Sequence, residues 1–79
     1  MLEVYYRMPK SDERESRISA QVNQFGGKLT YREVPTEAAS SAICLTYEFE
    51  SRSLAEKAGT LLRAYGEHVE GPGDYGPDE

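Results

Sequence analysis

The sequence predicts an α+β domain of β-α-β-β-α-β order, and three observations carry that prediction. Leu2 to Met8 and Ile43 to Phe49 alternate apolar and polar side chains with a period of two, the pattern of a strand half-buried in a sheet. Leu54, Ala58, Leu61, Leu62 and Tyr65 recur at i, i+4, i+7, i+8 and i+11, the stripe of a helix lying on a core. Turn formers at Pro9, Gly26-Gly27, Pro35 and Gly66 punctuate the chain between these runs.

The first strand places Leu2, Val4, Tyr6 and Met8 on one face, and Pro9 ends it. Ser11 is the expected N-cap of the first helix. Asp12 and Glu13 follow in the first turn, where negative charge suits the helix dipole. Ile18, Val22 and Phe25 form a narrow stripe, and Gly26-Gly27 supplies a left-handed stop. Lys28 to Val34 reads as the second strand with Leu29 and Tyr31 facing inward, and residues 35–41 read as a loop. In the third strand Ile43, Leu45, Tyr47 and Phe49 face one way, with Cys44, Thr46, Glu48 and Glu50 opposite. Ser53-Leu54-Ala55-Glu56 matches a capping box at the start of the second helix. Gly59 inside that helix costs about 1 kcal/mol relative to alanine, which suggests a close approach to the sheet. Gly66 ends the helix, and residues 67–70 have room only for a short last strand.

Two helices, each crossing between strands, imply right-handed split β-α-β units. The usual solution is a ferredoxin-like two-layer sandwich, with a four-stranded antiparallel sheet in order 4-1-3-2 and both helices on one face. The other face is then open, and it is expected to carry Glu3, Tyr5, Arg7, Thr30, Arg32, Cys44, Thr46, Glu48 and His68.

Seventy-nine residues make a single domain, here residues 1–71, followed by an acidic C-terminal tail at 72–79. A chain this short buries roughly 60–65% of its unfolded surface, so its core is thin. The net charge of −5 is concentrated at one end: residues 64–79 hold five acids and no Lys or Arg, leaving nine acids against nine bases before them. A neutral body offers no long-range attraction to a phosphate backbone and the acidic end opposes one, which disfavours RNA as a partner. One cysteine, Cys44, provides no intrachain disulfide and fits a reducing compartment. No apolar run approaches the ~20 residues of a membrane span, and the start lacks a signal-peptide pattern; the expected location is cytoplasmic.

The residue types that carry chemistry do not assemble into a catalytic constellation. Cys44 and His68 are the only thiol and imidazole, and in the expected order the first strand separates them by about 10 Å. Glu70 shares a face with His68 but Glu67 does not, so no metal is expected there. Gly26-Gly27 follows a helix, whereas an anion-binding loop precedes one. The expectation is therefore no enzyme activity, no cofactor and no metal. Tyr6, Tyr31, Tyr47 and Tyr65 fall on apolar stripes, which leaves Tyr5 as the aromatic of the open face.

Two families resemble this chain. Val4-Tyr5-Tyr6-Arg7-Met8-Pro9, Gln24-Phe25-Gly26-Gly27-Lys28 and the run from Tyr47 to Ala58 are similar to the first strand, first-helix ending and third strand with second helix of the RNA recognition motif. That family stacks bases on outward aromatics; Tyr5 matches the strand-one position, while Cys44 and Thr46 stand at the two strand-three positions. The acidic balance and the ending Tyr65-Gly66-Glu67-His68-Val69-Glu70-Gly71 resemble the regulator of ribonuclease activity B family, small acidic proteins that inhibit a ribonuclease by binding it. Here Val69 replaces that family's aromatic and Pro72 its tryptophan. The first resemblance implies binding of single-stranded RNA, the second a protein partner.

The reading that unites these features is a non-enzymatic, acidic binding or regulatory module. It acts on a protein partner through the open sheet face and the tail, with Tyr5, Arg7, Arg32 and Glu48 as contact residues. Homodimerisation is a variant of the same reading, because a thin core gains from covering a sheet face and β-edges can pair.

Overall fold

The alternating and striped segments fold as β1 (Leu2–Arg7), α1 (Asp12–Asn23), β2 (Lys28–Glu33), β3 (Ala42–Glu48), α2 (Arg52–Ala64) and β4 (His68–Glu70). The structure is a computed structural model and describes residues 1–7, 9–34 and 42–73. The expected inward side chain of Met8, the loop at 35–41 and the tail beyond Gly73 lie outside the described residues. The four strands form one antiparallel sheet in order β2-β3-β1-β4, with each helix crossing between strands. This is the ferredoxin-like α+β sandwich that the periodicities predict. Among the described residues, no helix is long and apolar enough to cross a membrane.

One cluster makes the core. Leu2, Val4, Tyr6, Ile43, Leu45, Tyr47 and Val69 come from the sheet, and they meet Ile18, Val22, Ala55, Ala58 and Leu62 from the helices. Phe49 joins the same cluster, and Phe25 and Leu54 pack against its rim. Two tyrosine hydroxyls inside this layer have partners. Tyr47 Oη lies 3.0 Å from Ser19 Oγ, and Tyr6 donates to the Glu15 carboxylate.

The helix ends follow local chemistry. Ser11 caps α1, its hydroxyl accepting from the Arg14 amide at 3.1 Å. Gly26 (φ +78°) and Gly66 (φ +89°) take the left-handed conformation that turns the chain out of each helix. After α2, the Glu67 and Gly66 amides bond back to the Leu62 and Arg63 carbonyls, and the amides of Gly27 and Gly26 do the same to Val22 and Asn23 after α1. Capping of α2 differs from expectation. The N-cap is Ser51, whose extended backbone and hydroxyl, 3.2 Å from the Leu54 amide, start the helix two residues earlier than Ser53 would. That start places Leu54 inside the first turn, where it reaches the core.

The second strand departs most from its sequence reading. Leu29 pairs with Tyr47, but Tyr31 pairs with Thr46, so two steps along β2 match one along β3. Thr30 is the extra residue of a β-bulge, and every side chain beyond it changes face. Tyr31 therefore stands on the open face, 58% exposed, rather than in the core. Arg32, expected on the open face, shares the helix-side face with Leu45. Leu29 keeps the helix-side face but remains 47% exposed, because β2 is the sheet edge and Leu29 falls outside the core cluster. Tyr65, expected on the stripe of α2, is 64% exposed; it follows the last helical residue, where the chain turns toward Gly66.

Candidate functional site

The face opposite the helices is built from alternate residues of each strand, and the register gives its layout in rows. One row crosses the sheet as Glu70, Glu3, Thr46 and Tyr31, and the next as His68, Tyr5, Cys44 and Glu33. Beyond the first row Glu48 stands opposite Lys28; beyond the second, Arg7 stands opposite Ala42. The small side chains of Cys44 and Thr46, flanked by larger ones on both sides, are 8% and 6% exposed.

Tyr5 lies at the middle of this surface on a central strand, paired on both sides. Its ring meets the His68 ring edge to face, with centroids 5.9 Å apart. Hydrogen bonding with the Cys44 sulfur, then partial burial, then the Glu3 carboxylate push the Tyr5 hydroxyl up to about 12. The Cys44 thiol contacts Glu3 Oε2 and Thr46 Oγ1, each at 3.9 Å. His68 Nε2 lies 2.7 Å from Glu70 Oε2, so these two share a face as the alternation requires. Glu67 turns away and binds Arg14, with Nη2 to Oε1 at 2.8 Å. Tyr5 separates Cys44 from His68, since both are its cross-strand partners on opposite sides. Glu3, Tyr5, Arg7, Ala42, His68 and Glu70 line a shallow depression of about 520 Å³ on the β4 side of the face.

The four contact residues inferred from the sequence do not form one cluster. Tyr5 and Arg7 are neighbours on β1. Glu48 shares their face but stands six residues along β3 from Ala42, the partner of Arg7, which is about 20 Å at strand rise. Arg32 leaves this face altogether. Its Nε and Nη2 donate to Glu15 Oε1 and Oε2 at 2.8 and 2.9 Å, a bidentate pair tying β2 to α1. That guanidinium, with the Tyr6 hydroxyl, holds the Glu15 carboxyl below the ordinary glutamate range. Three residues assume importance that sequence reasoning did not give them. Glu70 was placed beside His68 by alternation but weighed only as a metal ligand, while Tyr31 and Glu33 reach the face only through the bulge.

Glu3 and Glu70 are directly opposed across β1 and β4, a like-charged pair that costs the sheet stability. With Tyr5 and His68 in the adjacent row, the depression presents two carboxylates beside two aromatic rings. Such a surface is suited to a cationic side chain, which could pair with the carboxylates and lie over a ring. No family model, curated protein or solved structure matches this chain.

Proposed function

We propose that the chain is a non-enzymatic binding module that acts on a protein partner through the open face of its sheet, centred on Tyr5, with the acidic residues beyond Gly73 extending the contact. The observation that carries this reading is the Glu3–Glu70 pair beside Tyr5 and His68, on a face opposite the helices. Tyrosine is among the residues that dominate interface energies, and here it is held on a central strand, so little conformational freedom is lost when it is covered. The expected partner presents an Arg or Lys to the depression, with Arg7 and Glu48 as outlying contacts.

Capture from native cell extract on the immobilised chain, with and without nuclease, tests the proposal. Tyr5→Ala and Glu3→Gln/Glu70→Gln should each lose a protein that the wild type retains, and nuclease should change nothing. If the captured species are the same for all three chains, the reading fails.

A second reading, a degenerate RNA-recognition domain, is favoured by one observation: Tyr5 and Tyr31 are both outward aromatics of this face. It requires affinity for single-stranded RNA that falls with salt and is lost in Tyr5→Ala. Among the described residues, this face carries four carboxylates, Glu3, Glu33, Glu48 and Glu70, against the cations Arg7 and Lys28, which opposes that affinity.

A further inference from the structure

The two edges of the sheet are finished differently. β4 is three residues long, and the Arg63 guanidinium donates to the carbonyls of Val69 and Gly71 at 3.2 and 3.1 Å. Carbonyls of alternate residues point to the same side of a strand, and β1 occupies the inner side, so Arg63 caps the outer edge of β4. β2 is six residues long, and among the described residues no strand pairs its outer side. Among the described residues it carries two of the four large exposed hydrophobic side chains, Leu29 and Tyr31, and a third, Val34, follows it. An edge of this length and character is a template for another strand.

The bulge determines which strand fits. In an antiparallel ladder, directly opposed residues lie on the same face. On a regular strand, Lys28 and Glu33 would lie on opposite faces and could never be partners. The extra residue at Thr30 puts both on the open face, Lys28 opposite Glu48 and Glu33 opposite Cys44. Leu29 and Arg32 correspondingly share the helix-side face. With Thr30 left out of the ladder, β2 presents the same order of faces from either end, with a basic residue first from one end and an acidic one first from the other. Among the described residues neither Lys28 nor Glu33 forms an ion pair within the chain.

We propose that the outer edge of β2 pairs antiparallel with β2 of a second copy of this chain, about a two-fold axis at Tyr31, with Thr30 bulged out of the ladder and Lys28 of each copy opposite Glu33 of the other. A two-fold contact repeats every pairing, so the interface gains two ion pairs and sets each Leu29 against the aliphatic stem of the other copy's Arg32. The two Tyr31 rings come close to the axis. The result is a continuous eight-stranded sheet with the two open faces side by side. The self-complementarity of face order and charge is what singles out a second copy over an unrelated peptide, which would have no reason to match both ends at once. The inference concerns the edge rather than the Tyr5 surface, and stands apart from the function proposed above.

Sedimentation velocity on the full chain, taken to millimolar concentration, tests it. The wild type should dimerise. Lys28→Glu and Glu33→Lys should each raise the dimer dissociation constant about tenfold, because each creates two like-charged pairs. Combining both exchanges should restore the wild-type constant, with circular dichroism melts confirming that all four chains fold. A chain that stays monomeric throughout, a dimer indifferent to either single exchange, or a double variant no tighter than the singles would each overturn the proposal.

Discussion

Gly27→Ala is expected to be the most damaging single-methyl change available in this fold. Gly27 is buried, and a Cβ on its backbone would lie 2.3 Å from Val22 Cγ1 and 2.6 Å from Phe49 Cε2 and Cζ. Carbon atoms in contact sit roughly 3.5–4.0 Å apart, so the methyl overlaps two core side chains by about an ångström or more. Val22 is fully buried and Phe49 is 8% exposed, so neither can swing into solvent without opening the core. Overpacking of this kind costs about 1–3 kcal/mol. The lower chain entropy of unfolded alanine offsets roughly 0.4–1 kcal/mol of that. With two rigid neighbours struck at once, a net loss of about 2 kcal/mol is expected, from a total near 4–12 kcal/mol for a chain this long. Thermal melts followed by circular dichroism should therefore show Tm falling by about 8–16 °C. Gly59→Ala is the internal control. Its methyl would meet Leu2 Cδ1 at 3.4 Å and Val69 Cγ1 at 3.7 Å, ordinary contact, so the approach of α2 to the sheet does not require glycine. That variant should gain about 0.5–1 kcal/mol from helix propensity. A Gly27→Ala chain as stable as wild type would refute the packing argument, and a destabilised Gly59→Ala chain would refute its counterpart.

Three further outcomes are expected. Because the Arg32 guanidinium depresses Glu15, that carboxylate contributes stability above its unfolded value and loses it as pH falls through its folded value; Tm should therefore drop more steeply in acid for the wild type than for Glu15→Gln. Burial raises the Tyr47 hydroxyl, so its neutral form contributes stability below the ordinary tyrosine value and loses it as pH rises through the folded value. Melts in alkaline buffer should accordingly show a shallower decline for Tyr47→Phe. Arg63→Met keeps the aliphatic stem but frees the carbonyls of Val69 and Gly71; it should cost about 1 kcal/mol and speed amide exchange at His68–Glu70 more than in β3.

The sheet order and the core were legible because burial on one face of β1 and β3 imposes a period of two that nothing interrupts. Leu2, Val4, Tyr6, Ile43, Leu45 and Tyr47 all lie where that rhythm puts them. The β2 strand was misread for a physical reason. A bulge adds a residue without adding any apolar or turn-forming signature, and Lys28 to Val34 has only three apolar residues, Leu29, Tyr31 and Val34, too few to fix the register. Arg32 could have been suspected only from its partner. Glu15 lies on the helix face that meets the sheet edge, and a half-buried carboxylate requires a cation. The β4 strand is short, yet simple alternation placed His68 and Glu70 on one face, as observed.

The bulge also changes what kind of surface the open face is. With a regular β2, Arg32 would have joined Arg7 and Lys28 there, and Glu33 would have faced the helices. The extra residue exchanges that cation for a carboxylate and an exposed aromatic, Tyr31, leaving Glu3, Glu33, Glu48 and Glu70 against Arg7, Lys28 and His68. The acid pair is thus not an isolated feature but part of a face whose balance is acidic on the strands themselves, independent of the residues beyond Gly73. Opposed carboxylates repel, and a partner's guanidinium or ammonium entering between Glu3 and Glu70 would relieve that repulsion while covering Tyr5. On the function proposed above, recognition through this face would gain affinity from a cost already present in the unbound sheet, and that gain should vanish when the two carboxylates become amides even though Tyr5 remains in place.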